Sequence, residues 1–204
     1  MKKYAVLTMD IEDWYHLDYF LDLKLDKTYS LLDGVEEYLN ILNKYGIKST
    51  FFVLGEIAKK IYSTLIKIVL SGHEIACHGL IHKRPILIDI DEFRKQLTSA
   101  KDILSNICGE EVIGYRAPTF GLDNARLEII KSLGFKYDSS RIEFKQHPLY
   151  GSLDISSFVK VKQGIYRKND FFEFEVSTKR ISSFQLPISG GGYFRLFPWL
   201  VTKY

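Results

Sequence analysis

Apolar residues recur with two alternating periods along the first two thirds of the chain. Short runs rich in β-branched and aromatic residues predict strands, and stretches with apolar residues three or four positions apart predict helices between them. The predicted strands are residues 3–9, 47–54, 73–77, 112–115 and 135–137, and the helical stretches begin near Val35, Ile57, Asp89 and Leu127. This alternation predicts an α/β domain with parallel strands.

Beyond about Ser140 aromatic and polar residues are mixed, and the best strand signal is residues 171–176. The sequence contains no repeat and no low-complexity linker, so we expect one domain over residues 1–204. The hydrophobic fraction of 46% is enough for one sizeable core.

Charge and targeting signals narrow the class of protein. Lysine and arginine total 28 against 25 acidic residues, a net charge of +3 that is spread evenly, so we expect no nucleic-acid partner. No apolar run approaches the ~20 residues of a transmembrane helix, and the first residues do not resemble a signal peptide, so we expect a cytoplasmic protein. Cys77 and Cys108 are too few to form a disulfide framework.

Polar residues follow the first and third predicted strands. Asp10, Glu12 and Asp13 place three carboxylates within four positions, which raises their pKa values unless a cation lies between them. A solvated turn or a helix cap also accounts for such a cluster. His78 and His82 form an H-x-x-x-H pair, and on a helical turn both rings would face the same way and suit one divalent metal ion.

Two further motifs follow the fourth and fifth predicted strands. Arg116 precedes Ala117 and Pro118, which suits an arginine that holds a carboxylate in its ionised form, although an ordinary surface arginine would look the same. The segment 138–140, Asp-Ser-Ser, either joins the site or caps a helix. Because the carboxyl ends of parallel strands are where ligands gather, all four motifs are candidates for one site.

The order of these motifs resembles the polysaccharide deacetylases of the NodB homology type, carbohydrate esterase family four. The similarity extends to the branch found among bacterial exopolysaccharide and O-antigen biosynthesis proteins. It is carried by residues 7–16, 48–55, 72–79, 114–120, 134–140, 147–151 and 190–196.

This resemblance implies a distorted (β/α) barrel of about seven strands and hydrolysis of an N-acetyl group on a sugar. It implies a divalent metal ion held by His78, His82 and one carboxylate, with zinc favoured and cobalt, nickel or manganese as alternatives. Asp10 stands where the family has its base, and Arg116 would pair with it. Glu12 is favoured as the third ligand if the segment stays extended, and Asp13 if it bends after the strand.

The resemblance also implies contacts with an acetylated sugar or polysaccharide, for which we select Trp14, Pro118, His147 and Tyr193. Family members carry a further histidine near the C-terminus as general acid, whereas here Phe197 precedes Pro198. We therefore expect a C-terminally incomplete domain. If its last strand is absent, the barrel has an open edge through which copies could associate. His147 and His16 are the alternative acids.

The sequence leaves three candidate functions for the protein. The first is a metal-dependent carbohydrate N-deacetylase, which predicts a bound divalent ion. The second is an amidase of the same fold that works without a metal, since Ile11 separates Asp10 from the next acidic residue. The third is an inactive carbohydrate-binding or assembly protein, because the terminal histidine motif is missing.

Overall fold

The computed structural model describes residues 5–17, 20, 24, 26–30, 32–144, 149–181 and 184–187. Its strands are β1 (Thr8–Ile11), β2 (Thr50–Val53), β3 (Glu74–Cys77), β4 (Gly114–Tyr115), β5 (Tyr137–Asp138), β6 (Val159–Lys162), β7 (Ile165–Lys168), β8 (Phe171–Phe174), β9 (Thr178–Ile181) and β10 (Phe184–Pro187). Its α-helices are α1 (Gly34–Lys44), α2 (Gly55–Ala58), α3 (Tyr62–Leu70), α4 (Ile90–Cys108) and α5 (Asn124–Ser132). Short 3₁₀ helices cover Trp14–His16, Pro85–Leu87 and Pro118–Phe120.

Eight of these strands form one sheet in the order β1-β2-β3-β4-β5-β8-β7-β6. The first five strands and β8 are parallel, and β7 and β6 continue the sheet in antiparallel fashion. Strands β9 and β10 form a separate antiparallel pair. The predicted α/β class with a mainly parallel sheet is confirmed.

A single arginine shows that the sheet is curled. The Arg116 guanidinium donates to the Ser139 carbonyl, just after β5, and to Asp10 in β1. Those strands are four positions apart, about 19 Å in a flat sheet. The side chain of Asp10 is too short to share one guanidinium with Ser139 across that distance, so the sheet must wrap around Arg116 as in a barrel.

The element boundaries mostly follow the sequence signals. Asp89 caps α4 as predicted, since its side chain accepts hydrogen bonds from the backbone N–H groups of Asp91 and Glu92. The predicted helical stretch from Ile57 divides into α2 and α3. Strand β1 extends to Ile11, later than predicted, so Asp10 lies within the strand.

The core lies between the sheet and its helices. Residues of β2 and β3 alternate between the two faces, and those that meet the helices are fully buried with side chains of α1, α3 and α4. This cluster includes Leu42, Phe51, Val53, Leu65, Ile68, Cys77, Leu97 and Leu104. Among the described helices, none combines the length and the hydropathy needed to cross a membrane.

The C-terminal part of the described chain joins the same sheet. Strand β8 pairs with β5 through Tyr137↔Phe172 and Asp138↔Glu173. Within the described residues β1 and β6 are the outer strands and do not pair with each other. Association through an open edge stays a prediction.

Gly114 gives the clearest test of this packing. A Cβ atom there would lie 2.1 Å from Cζ of Tyr137, a rigid ring whose hydroxyl donates to Glu74 at 2.8 Å. We expect Gly114→Ala to lower the free energy of unfolding by about 1–3 kcal/mol, as overpacking does. Urea unfolding measures this, with Gly34→Ala as the control, because a Cβ at Gly34 meets nothing within 4 Å. Equal stability of both variants would contradict the packing described.

Candidate active site

Three side chains converge at the carboxyl ends of β1 and β3. Glu12 follows β1 directly, His78 follows β3 directly, and His82 comes four residues later. Glu12 Oε2 lies 2.6 Å from His82 Nε2 and 3.7 Å from His78 Nε2. The three ligand atoms all lie within 4.8 Å of one another. The histidine side chains are almost completely buried, whereas Glu12 remains 21% exposed on the solvent side.

The segment from His78 to His82 is a loop, so the predicted helical turn is wrong. Gly79 has a φ of +99°, which is outside the helical region. The carbonyl groups of Gly79 and Leu80 accept hydrogen bonds from Gly55 and Glu56, the first residues of α2. The loop backbone therefore satisfies the free N–H groups of another helix instead of forming its own. The imidazole rings still lie 5.5 Å apart.

Hydrogen bonding fixes the orientation of the first histidine. His78 Nδ1 lies 2.9 Å from the Arg116 carbonyl oxygen, which can only accept. Nδ1 therefore carries a hydrogen, and Nε2 faces Glu12. A backbone carbonyl on the far nitrogen is the usual support of a histidine that binds a metal ion.

The donor set fits a divalent metal ion. Glu12 Oε2 is buried and, despite its short distance to His82, makes no aligned hydrogen bond within the described chain. Two imidazole nitrogens and one carboxylate oxygen are the ligands that zinc uses in catalytic sites, where a further position stays open. The same set also suits cobalt, nickel and manganese.

The electrostatics of the cluster attract positive charge. Burial raises the pKa of Glu12, but the two imidazole rings outweigh this effect and hold the pKa below its ordinary value. Burial lowers the pKa of His78, but Asp10 and Glu12 outweigh it and raise the pKa above the ordinary value. The two carboxylates therefore favour a cation at this place.

Asp13 does not join the histidines. Its side chain is fully buried and accepts hydrogen bonds from the Trp14 backbone at 3.0 Å and from the Ser30 hydroxyl at 2.5 Å. It caps the 3₁₀ helix that begins at Trp14. Of the two carboxylates that the sequence left open, the structure brings Glu12 to the histidines.

Asp10 pairs with Arg116, as the sequence analysis predicts. Arg116 Nη1 donates to Asp10 Oδ1 at 2.8 Å, and the guanidinium lies over the Phe52 ring at 4.1 Å. Sequence reasoning missed the remaining partners of Arg116. The same group donates to Thr8 Oγ1 at 2.9 Å and, on its other side, to the hydroxyl and the carbonyl of Ser139.

The segment after β5 is part of this support. No helix begins there within the described residues, so the helix-cap interpretation of the Asp-Ser-Ser segment is wrong. Ser139 holds the Arg116 guanidinium, and the Ser140 hydroxyl accepts a hydrogen bond from the Ala117 backbone at 2.8 Å. The signal available in the sequence was the position of residues 138–140 directly after a predicted strand.

The predicted substrate-binding residues lie in different places. Trp14 is half-buried, and its Nε1 donates to the Tyr29 carbonyl at 3.0 Å. Pro118 is buried against the histidine loop, with its ring close to Gly79. His147 and Tyr193 lie outside the described residues. Contact of any of the four with a sugar stays a prediction.

His16 is half-buried near the cluster. Its Nδ1 accepts a hydrogen bond from the Asp13 backbone N–H at 2.8 Å, and its Nε2 lies 3.8 Å from Glu56 Oε1. Burial lowers the pKa of His16 against the opposing effect of Glu56. Because Nδ1 is already an acceptor, His16 is held as a neutral ring with its hydrogen on Nε2. This form donates a hydrogen bond and does not suit an imidazolium acid.

Three proteins illustrate what the chain is similar to. A peptidoglycan deacetylase of Helicobacter pylori is 28% identical over 117 residues, which are 57% of this chain and 40% of that protein. The chain thus spans less than half the length of that relative. A structure assigned as a polysaccharide deacetylase from Mycobacterium smegmatis matches with a TM-score of 0.62 at 24% identity, over 92% of this chain and 64% of that one. A carbohydrate esterase family four pseudoenzyme from Bacillus anthracis matches with a TM-score of 0.53 at 20% identity, over 64% of this chain and 40% of that one.

Two family models cover nearly the whole chain. The model of the polysaccharide deacetylase family matches residues 16–137, and that of a domain of unknown function, DUF3473, matches residues 139–204. The first match spans more than half of the chain and includes His78, His82 and Arg116. The chain belongs to the polysaccharide deacetylase family.

Proposed function

We propose that the chain is a metal-dependent hydrolase that removes N-acetyl groups from an acetamido sugar or a polysaccharide. The observation that carries the proposal is the convergence of Glu12, His78 and His82 next to the Asp10–Arg116 ion pair. The similarity to a peptidoglycan deacetylase supports an acetylated amino sugar as the substrate class. We also propose a role in the synthesis of surface polysaccharides, which rests on the sequence motifs alone.

His78, His82 and Glu12 would hold the metal ion. A divalent ion in such a site acts as a Lewis acid on the amide carbonyl and lowers the pKa of a coordinated water. The Arg116 carbonyl keeps His78 in the tautomer that binds through Nε2. Zinc fits this donor set best, and cobalt, nickel and manganese are the alternatives.

Asp10 would act as the general base. It is close enough to His78 to affect the charge of that ring, and its side chain is 26% exposed, so a water molecule can approach it. Arg116 Nη1 engages Oδ1 of Asp10, and among the described residues no hydrogen bond to Oδ2 is found, so Oδ2 would accept the proton. Arg116 thus orients the base through a charge-assisted hydrogen bond.

The exposure of the cluster indicates the side from which a substrate arrives. The two histidines are buried below the surface, whereas Asp10 and Glu12 keep about a quarter and a fifth of their side chains exposed. A sugar would therefore approach over the end of β1, where Trp14 and His16 also lie. His16, as a neutral donor, would bind a substrate oxygen there.

Metal binding tests the choice of ligands. We expect the purified protein to bind one zinc ion per chain, and Glu12→Gln to weaken the affinity by more than about 100-fold, beyond what the loss of an outer-shell partner costs. Asp13→Asn is the matched control and should bind zinc as the wild type does, because asparagine also caps helices. Isothermal titration calorimetry measures both. Loss of zinc in Asp13→Asn with retention in Glu12→Gln would contradict the assignment.

Acetate release tests the reaction. With acetylated chito-oligosaccharides as substrate, we expect Asp10→Asn to lower kcat by about 10²–10⁴-fold, the usual contribution of a general base, while zinc stays bound. Chelation should abolish the activity, and added zinc should restore it. Release that survives chelation would indicate the metal-free amidase. Sugar binding without any release, under every metal tried, would indicate an inactive binding protein.

A further inference from the structure

Two buried carboxyl groups face each other outside the metal-ligand cluster. Asp138 is the last residue of β5, and Glu173 is its direct partner in β8. Both are 0% exposed. They lie within hydrogen-bonding reach of each other, on the face of the sheet opposite to that of Tyr137.

Neither carboxyl has a cation of its own in the described part of the chain. The nearby guanidinium groups are engaged elsewhere, since Arg116 pairs with Asp10 and Arg141 Nε donates to Glu175 at 2.9 Å. Two ionised carboxylates cannot share such a buried place, because burial and mutual repulsion both oppose the second charge. The pair therefore holds one proton.

Hydrogen bonds locate that proton on Glu173. Both oxygens of Asp138 accept from Ser140, one from the hydroxyl at 2.6 Å and one from the backbone N–H at 3.0 Å. Glu173 Oε1 accepts from the Arg141 backbone N–H at 2.9 Å, but Oε2 is buried and no described N–H or O–H group donates to it. Oε2 is thus the oxygen that carries the proton and donates to Asp138. Burial, followed by the charge of Asp138, raises the pKa of Glu173 well above its ordinary value.

This pair connects to the catalytic residues through Ser140. The Ser140 hydroxyl gives its hydrogen to Asp138 and accepts from the Ala117 backbone at 2.8 Å. Ala117 follows Arg116, whose carbonyl orients His78 and whose side chain holds Asp10. The next residue of β8 contributes as well, since the Phe174 carbonyl accepts from the Ser139 hydroxyl at 2.9 Å.

We propose that protonated Glu173 is a positioning residue, which donates a hydrogen bond to Asp138 and thereby holds the Arg116–Ala117 backbone, and with it His78 and Asp10, in the active arrangement. The part that concerns catalysis rests on the proposed function. Glu173 belongs to the segment matched by the domain of unknown function. Glu173 would thus make that segment part of the support of the candidate active site.

The protonation of Glu173 can be tested through the stability of the protein, without an activity assay. Glu173 binds a proton in the folded protein at pH values where the unfolded chain has released it, so the contribution of Glu173 to wild-type stability falls as pH rises above the ordinary glutamate pKa of about 4.3. Glutamine reproduces the neutral donor without titrating. The charged and titratable groups that face the pair are Arg116 after β4, Arg141 after β5, and Tyr115 in β4, with Cys77 and Arg126 beyond Tyr115.

The experiment compares Glu173→Gln, Glu173→Leu and Asp138→Asn with the wild type. We expect the urea midpoint of Glu173→Gln to exceed that of the wild type at pH 8, and the difference to shrink toward pH 5. Glu175→Gln is the control, because it removes an ion pair with Arg141 and should lower the midpoint at pH 8. Asp138→Asn should also be less stable than the wild type, since it replaces an acceptor that Ser140 uses twice.

Zinc affinity and acetate release provide the second readout. We expect Glu173→Leu to lose about 10²-fold in kcat/KM, as a displacement of about 1 Å in an active site does, and to bind zinc more weakly. Glu173→Gln should restore both. A Glu173→Gln variant that is less stable than the wild type at every pH, or that binds zinc as weakly as Glu173→Leu, would overturn the proposal. A wild type without acetate release would count against the proposed function alone, because stability and zinc affinity still decide the role of Glu173.

Discussion

The rest of the structure depends on the hydrogen bonds and the ion pair of the buried Arg116 guanidinium. It joins Asp10 in β1 to Ser139 after β5, and so connects the first strand of the sheet to the fifth across the interior. Its backbone carbonyl orients His78. A buried cation needs such partners, because removal of either member of a buried ion pair leaves an uncompensated charge inside the protein. The contacts that hold the curled sheet together therefore also arrange the proposed base, Asp10, and the proposed metal ligand His78.

Much of this arrangement could be predicted, because it follows from where strands end. Polar residues after successive parallel strands meet at one edge, which places Asp10, His78 and Arg116 together without knowledge of the loops. The choice between Glu12 and Asp13 could not be made in advance, since it depends on β1 continuing to Ile11. The prediction of a helical turn at His78 is wrong, because carbonyl groups of this loop accept hydrogen bonds from the first N–H groups of α2.

The contribution of the C-terminal segment could not be predicted from the sequence, for a different reason. Glu173 looks like an ordinary polar position in a strand with aromatic neighbours, and its partner Asp138 is 35 positions away. Only the register between β5 and β8 shows that the two carboxyls are buried against each other. The two family models meet at β5, yet the sheet continues across that boundary. Long-range pairing of this kind leaves no local periodicity to detect.

The central claim is that Glu12, His78 and His82 form a metal site that Arg116 orients. X-ray absorption at the zinc edge of the zinc-loaded protein tests it most directly, since imidazole ligands give a distinct scattering pattern. The account predicts two imidazole nitrogens and at least one carboxylate oxygen at about 2.0–2.2 Å from zinc. A spectrum without imidazole ligands, or a protein that retains no zinc, would contradict it.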